Sequence, residues 1–487
     1  MPDYLPRKLP KYLQGVDQPV GAERKIPLSH LVVLLFFPMA LICSLIFYWP
    51  LKALGALPVF AGAWLFAGAF CCFMCKSMGR QAIWIPVLVF FLGHAVASGV
   101  VRENLGRFGS VHTGSDDLLY LSIANRVTTQ VRQSPWDVGS AREAIPEMNY
   151  TGYPFFLGYL FAPLEDSEPV RFAATTAVNL SAICLIFFCV VFLAQSLGPV
   201  DVKLMLLIIL ASLPELLYFS SLVLKDCIVA ALMASIVLLL DPVNKLSLLI
   251  KLGLLVMLTA ALWNLRAPYV LISFCALPLW LSSRQKSINR PMVSLLVGAS
   301  LILLYRLASR FIFSSFTTVV AEVMYGGGAE YLVTTGFGYA TNLYKLPVIG
   351  PFVFCMFAPV PLNPLGLTEM PYFTDVLRSI GTLLDLGLLF AAFRSKVFRM
   401  IWQPVFLISV SMYGLIIFAV ALGPTDARFK LPAVPFLAFM AYASSFCLKN
   451  PNALGLPVRP GPHNPGTVRV TLSRQDLGGR VSPHVPG

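Results

Sequence analysis

Residues 170–197 read VRFAATTAVNLSAICLIFFCVVFLAQSL, with Arg171 as the one charged residue. An apolar run of this length matches the roughly 30 Å hydrocarbon core of a bilayer when it is helical. Similar runs recur along the chain, which is 57% hydrophobic and 12% charged and has a mean hydropathy of +0.77. The pattern predicts an all-α polytopic membrane protein and excludes a water-soluble globule.

The formal net charge of +13 comes from Lys and Arg residues that lie in short clusters between the apolar runs and in the two tails. That distribution follows the positive-inside rule and is not typical of a nucleic-acid-binding face. The ten cysteines lie almost entirely within apolar segments, where a thiol behaves as a small hydrophobe. We therefore expect membrane lipids, and no nucleic acid, among the partners.

The apolar runs predict about twelve transmembrane helices between a cytoplasmic N-terminal tail, residues 1–28, and a disordered cytoplasmic tail, residues 449–487. The first run begins near Ser29 and reads as a retained span, not a cleaved signal peptide. The expected spans are about 29–49, 53–75, 82–101, 170–197, 203–222, 227–240, 247–264, 268–283, 292–308, 375–393, 401–422 and 430–448. Together they form one transmembrane domain, 29–448, with outer loops at about 102–168 and 310–373, in which the run 346–362 is taken as re-entrant.

The first outer loop contains the polar stretch Gly114-Ser115-Asp116-Asp117-Leu118-Leu119-Tyr120. From Asp116 to Val127 the apolar residues cover one broad helical face, and Ser115 or Asp116 can cap the start. We expect a helix at the membrane surface here. The run from Phe155 to Ala162 is too short to span, so it predicts a second surface or re-entrant element.

Charged residues at the outer ends of distant spans converge on one side under this topology. Charges that border a bilayer are costly unless they pair or serve a site, so each is a functional candidate. The alternative is structural: Lys225-Asp226 and Asp426-Arg428 would be local ion pairs, and Arg266 would extend to the interface. The candidates are Asp116, Asp117, Lys225, Asp226, Arg266, Arg428 and Lys430.

A carboxylate beside several cations suits transfer from an activated lipid-linked sugar. Lys or Arg can neutralise the phosphate leaving group as charge develops on it. A carboxylate can take the proton from an acceptor hydroxyl or amine, which is otherwise a poor nucleophile.

Several short motifs resemble those of the GT-C superfamily of membrane glycosyltransferases, especially the aminoarabinose and mannosyl transferase-like branches. The resemblance covers roughly residues 80–448 and departs from the family in an extra apolar hairpin, about 29–75. The motifs are Ser115-Asp116-Asp117-Leu118-Leu119-Tyr120 in the first outer loop, Thr151-Gly152-Tyr153-Pro154, Leu224-Lys225-Asp226, Leu265-Arg266-Ala267-Pro268 and Ala427-Arg428-Phe429-Lys430.

The resemblance implies an enzyme that uses a polyprenyl-phosphate sugar, with its catalytic acid in the first outer loop. Asp117, or Asp116, would be the general base, because the family pattern often has an acid three residues before a tyrosine, here Tyr120. The resemblance further implies that nearby residues bind the donor phosphate and the substrate. The candidates are Lys225, Arg266, Arg428, Lys430, Tyr120 and Tyr153. No cofactor is expected, and a divalent metal is possible but not obligatory.

Two other functions remain open on the sequence. A polysaccharide polymerase of the O-antigen type also uses lipid-linked donors, but it would depend on outer-loop arginines and not on Asp116 and Asp117. A transporter or flippase for a lipid-linked glycan would place a charged site near the midplane, on interrupted helices. The preferred expectation is a glycosyltransferase of the cell envelope in the cytoplasmic membrane, acting at its outer face on a lipid, glycan or protein acceptor.

Overall fold

The computed structural model describes Ile42 and residues 53–78, 83–108, 116–145, 152–195, 201–241, 246–274, 373–393, 404–421 and 427–449. The predicted spans at 29–49 and 292–308, most of the span at 268–283, the second outer loop and both tails lie outside the described residues.

The described elements are helices, and no strand occurs among them. In chain order they are α1 (Leu57–Met78, after a 3-10 turn Leu54–Ala56), α2 (Trp84–Phe108), α3 (Asp116–Gln133), α4 (Val138–Glu143), α5 (Gly152–Phe161), α6 (Glu168–Gln195), α7 (Asp201–Ala211), α8 (Pro214–Ser220), α9 (Asp226–Leu240), α10 (Leu248–Phe274), α11 (Phe373–Ala392), α12 (Pro404–Ala421), the 3-10 helix Ala427–Ala433 and α13 (Val434–Lys449).

The helices lie close to the positions that the apolar runs predict. Within the described ranges, four segments are long and apolar enough to cross a membrane: Leu54–Met74, Trp84–Arg102, Glu168–Ala194 and Leu248–Arg266. The chain is therefore an α-helical protein with apolar helices of membrane-spanning length, while the count of about twelve spans stays a prediction.

Helix α6 forms the centre of the described bundle. It packs against α1, α2, α7, α8 and α9, and most of its middle is buried, apart from a partly exposed stripe that includes Leu185 and Phe188. By contrast, α10 exposes large apolar side chains such as Leu249, Val256 and Met257. An apolar face of this kind is suited to lipid contact, since lipid tails are as apolar as the side chains themselves.

The run 203–222, which the apolar pattern predicts to be one span, is not a continuous helix, because the chain is interrupted twice in this region. Leu213 has an extended backbone and separates α7 from α8, since Pro214 disfavours the helical conformation of the residue before it. Residues 221–225 then form a buried linker between α8 and α9. Its Leu222 carbonyl accepts a 2.7 Å hydrogen bond from Asn179 on α6, which satisfies a polar group that bulk water does not reach.

The expected helix at Asp116–Val127 is confirmed and continues to Gln133. It packs along α5, where a Cβ on Gly158 would lie 2.3 Å from Val127 Cγ1, so this crossing requires glycine. The Thr128 hydroxyl donates to the Gly158 carbonyl, and Arg132 donates to the carbonyls of Phe161, Ala162 and Leu164 at the end of α5. Helices α3 and α5 therefore form one unit.

Candidate functional site

A cluster of three charged residues surrounds the start of α9. We call Lys225, Asp226 and Arg266 the basic cluster. An Arg266 guanidinium nitrogen donates to Asp226 Oδ1 at 2.9 Å across 40 residues of sequence, and the three residues are only 2%, 1% and 8% exposed. Asp226 occupies the first turn of α9, where the helix dipole also favours a negative charge.

Arg266 reaches this position because α10 is kinked at that residue. Its backbone is extended, with φ −166° and ψ 85°, between two helical segments. Pro268 follows closely and lacks the N–H that would continue the helix. The structural alternative, in which Arg266 would extend to the membrane interface, does not describe this side chain, which is buried against Asp226.

Two tyrosines from the α3–α5 unit pack on the basic cluster. Lys225 Nζ lies 5.4 Å from the Tyr120 ring centroid, and the Tyr120 and Tyr153 rings meet edge to face at 5.2 Å. Gly152 allows this approach, because a Cβ there would lie 2.7 Å from the Asn264 carbonyl oxygen at the α10 kink. The predicted candidates Tyr120, Tyr153, Lys225 and Arg266 thus come together from four elements.

The Tyr153 hydroxyl is buried and has no hydrogen-bond partner among the described residues. Burial, followed by the nearby Tyr120, Cys227 and Asp226, raises the pKa of this phenol well above its usual value. The hydroxyl therefore stays protonated at neutral pH and remains a hydrogen-bond donor next to the basic cluster.

Asp116 and Asp117 form the first turn of α3. They precede Tyr120 by four and three positions, so their backbones lie within about one helical turn, roughly 5.4 Å, of a residue that touches Lys225. Their side chains lie outside the described part of the structure, as does that of Arg428, whose backbone belongs to the 3-10 helix packed on α9. Their roles stay predictions.

Lys430 belongs to a different set of residues. Its Nζ lies 3.0 Å from Glu215 Oε1 and 3.1 Å from Asp385 Oδ2, and all three side chains are buried. We call Glu215, Asp385 and Lys430 the acidic cluster. Glu215 comes from α8, Asp385 from α11 and Lys430 from the 3-10 helix.

Sequence reasoning did not single out Glu215 or Asp385, nor His94, whose Nδ1 lies 2.9 Å from Ser220 Oγ. Each of these residues is isolated within an apolar run, so the averaged hydropathy remains that of a membrane helix. Their position in the sequence could have identified them, because placing an ionisable residue within an apolar run has a high free-energy cost and makes that residue a functional candidate.

The two clusters differ in the ligand charge that they favour. Among the described side chains, the basic cluster has two cations and one carboxylate, a composition that suits an anion such as a phosphate, beside the N–H groups that begin α9. The acidic cluster has two carboxylates and one cation. Among the described residues, no group of three or more His, Cys, Asp or Glu side chains is placed to hold a metal ion.

The basic cluster thus brings together four of the predicted candidates, Tyr120, Tyr153, Lys225 and Arg266, while Lys430 lies in the acidic cluster. The family itself stays an interpretation of the motifs. Comparison of the chain with protein-family models, with curated proteins and with solved structures gave no match.

Proposed function

We propose that this protein is a membrane glycosyltransferase of the GT-C type, which transfers a sugar from a polyprenyl-phosphate donor to a lipid, glycan or protein acceptor. The observation that supports it is the meeting of Lys225, Arg266, Tyr120 and Tyr153 at the start of α9, next to the helical turn that carries Asp116 and Asp117.

In the proposed reaction, the donor phosphate binds at the basic cluster. The bond between the anomeric carbon and the phosphate oxygen breaks, and Lys225 and Arg266 neutralise the charge that develops on the leaving phosphate. Asp226 already holds Arg266 at 2.9 Å, so this guanidinium is positioned before the donor arrives.

Asp117, or Asp116, acts as general base in this scheme. The acceptor hydroxyl or amine loses its proton to the carboxylate as it attacks the anomeric carbon. The protonated Tyr153 hydroxyl is suited to donate a hydrogen bond to the sugar or to a phosphate oxygen, because it is buried beside Asp226 without a partner in the described residues. A bound metal is not required for these steps.

The proposed location is the cytoplasmic membrane, with about twelve spans, both termini in the cytoplasm and α3–α5 at the outer face. A reporter fused after Ser140, which lies on α4, tests this placement. A cytoplasmic reporter would place the two aspartates on the side opposite to the proposed acceptor.

Separate Asp116→Asn and Asp117→Asn variants test the mechanism directly. Loss of a general base is expected to reduce kcat by about 10²–10⁴-fold in the variant that removes the base, with little change in KM. The assay measures sugar transfer from a polyprenyl-phosphate sugar in membranes, and insertion is checked by the Ser140 reporter. Asp137→Asn, which changes an exposed carboxylate at the start of α4, is the matched control.

Full activity of both inserted variants contradicts the mechanism, and it would then favour an O-antigen-type polymerase or a transporter. If Asp137→Asn lowers the rate as much as the two test variants do, the loss comes from disturbance of the loop and not from removal of a catalytic base.

A second candidate function is transport of a lipid-linked glycan, and the interruption of α7, α8 and α9 favours it. Interrupted membrane helices with buried charges form the binding sites of many transporters. Here the two interruptions bring Glu215 and the Lys225-Asp226 pair into the helix bundle. Translocation of a fluorescent lipid-linked glycan across proteoliposomes, unchanged in the Asp116→Asn and Asp117→Asn variants, would support transport over transfer.

A further inference from the structure

The acidic cluster carries more negative charge than its one ammonium group can balance. Glu215 and Asp385 each bind Lys430 through a single oxygen, and the side chains of all three are less than 10% exposed. Among the residues whose side chains the structure describes, Lys430 is the one cation within ion-pair distance of either carboxylate. A buried charge without compensation is strongly unfavourable, so the cluster requires one further positive charge.

The unused carboxylate oxygens indicate where that charge binds. Glu215 Oε2 and Asp385 Oδ1 are buried and have no hydrogen-bond partner among the described residues. Both carboxylates contact the same Lys430 nitrogen and are therefore close together, and like charges at such a separation resist simultaneous ionisation. A proton on one of these oxygens removes the excess charge and turns an acceptor into a donor.

A small cavity leads to the cluster. It is lined by Asp385 and Lys430, together with Tyr413 from α12 and apolar side chains, and has a volume of about 10 Å³. This is room for about one water molecule. The cavity is too small for a hydrated metal ion, but it has room for one water beside Asp385, Tyr413 and Lys430.

Among the described residues, no cation other than Lys430 makes an ion pair with Glu215 or Asp385. His94 on α2 is hydrogen-bonded to Ser220 and Ser98, and Asp226 on α9 is neutralised by Arg266. The other buried titratable groups described on the packed elements are Cys184 and Cys189 on α6, Tyr218 on α8, Lys225 and Cys227 at the start of α9, Tyr413 on α12 and Tyr442 on α13.

We propose that the acidic cluster is a proton-binding site, in which Glu215 and Asp385 share one exchangeable proton beside Lys430. Uptake transfers a proton from water to a carboxylate oxygen and changes the charge of the cluster from −1 to zero; release reverses both. This proton-binding site shares no residue with the basic cluster. The proposal therefore does not depend on which substrate binds at the start of α9.

Infrared spectroscopy of the purified full-length protein in detergent tests the proposal, because a protonated carboxyl has its own C=O band that shifts in D₂O. Wild type should show the band of one acid at neutral pH. Glu215→Gln and Asp385→Asn should each lose this band, because the remaining carboxylate and the Lys430 ammonium together have no net charge and need no proton. Lys430→Met should gain a second protonated acid. Asp137→Asn, on the surface, and Asp117→Asn, at the proposed catalytic base, should leave the band unchanged.

A band that is the same in wild type, Glu215→Gln and Asp385→Asn overturns the proposal. Because an amide mimics the protonated acid, both single variants should fold, and failure of both to give wild-type circular dichroism also counts against it. A thermal midpoint that rises when sodium replaces choline in wild type, but not in Glu215→Gln, would assign the site to a sodium ion and equally overturn the proton.

Discussion

The basic and acidic clusters are built from similar charged side chains, but they have opposite excess charge. Asp226 binds Arg266 and follows Lys225 in the chain, which lies over the Tyr120 ring, whereas Lys430 binds two carboxylates in the interior of the bundle. The two clusters are joined by the stretch from Glu215 to Asp226, which contains most of α8 and the linker to α9. The difference shows how one interrupted apolar segment contributes a carboxylate to each of two clusters with different ratios of cations to carboxylates.

The largest effect is expected for Lys430→Met. With one proton shared between Glu215 and Asp385, removal of the ammonium leaves one buried carboxylate without a cation, and breaking a buried ion pair in this way costs about 3–5 kcal/mol. The free energy of unfolding in mixed micelles measures the loss. The triple variant Glu215→Gln, Asp385→Asn, Lys430→Met removes the charges on both sides and should recover most of it. If Lys430→Met by itself were as stable as wild type, the ion pairs of Lys430 would not contribute to the free energy of unfolding.

Arg266→Met should destabilise the protein by about 3 kcal/mol, the lower end of the range for a broken buried pair. Only one carboxylate, Asp226, loses its partner here, and Lys225 is next to it in the sequence. The measurement is again unfolding in micelles, with Arg266→Met combined with Asp226→Asn as the control that removes the stranded charge. If the double variant is no more stable than the single one, the loss comes from packing of the guanidinium on Tyr269 and not from the ion pair.

Gly381→Ala gives the smallest of the three effects and tests how closely α8 and α11 must approach. A Cβ at Gly381 would lie 2.5 Å from Glu215 Cγ, so Glu215 must shift; overpacking of this kind costs about 1–3 kcal/mol. Gly387→Ala on the same helix is the matched control, because no atom lies within 4 Å of its Cβ position. We expect the control to keep or slightly raise the thermal midpoint. Equal effects of the two changes would show that helix propensity, and not the contact with Glu215, decides the result.

The positions of most helices could be predicted, because run length and apolar content are local properties of the sequence. The interruption at Leu213 could also have been predicted, since Pro214 follows it directly, but an averaged hydropathy does not register a single proline. The grouping of Tyr120, Tyr153, Lys225 and Arg266 followed from motifs at predicted span ends. Lys430 was grouped with them for the same reason, although its contacts lie with Glu215 and Asp385.

By itself, the sequence determined that the protein is helical and apolar, where most helices lie, and which cations stand at their ends. Only the tertiary structure decided which carboxylate meets which cation, because Arg266 and Asp226 are 40 residues apart and Lys430 and Asp385 are 45 apart. Charge excess is a property of the assembled cluster and not of any one segment. It therefore emerges only when α8, α9, α10, α11 and the 3-10 helix pack together.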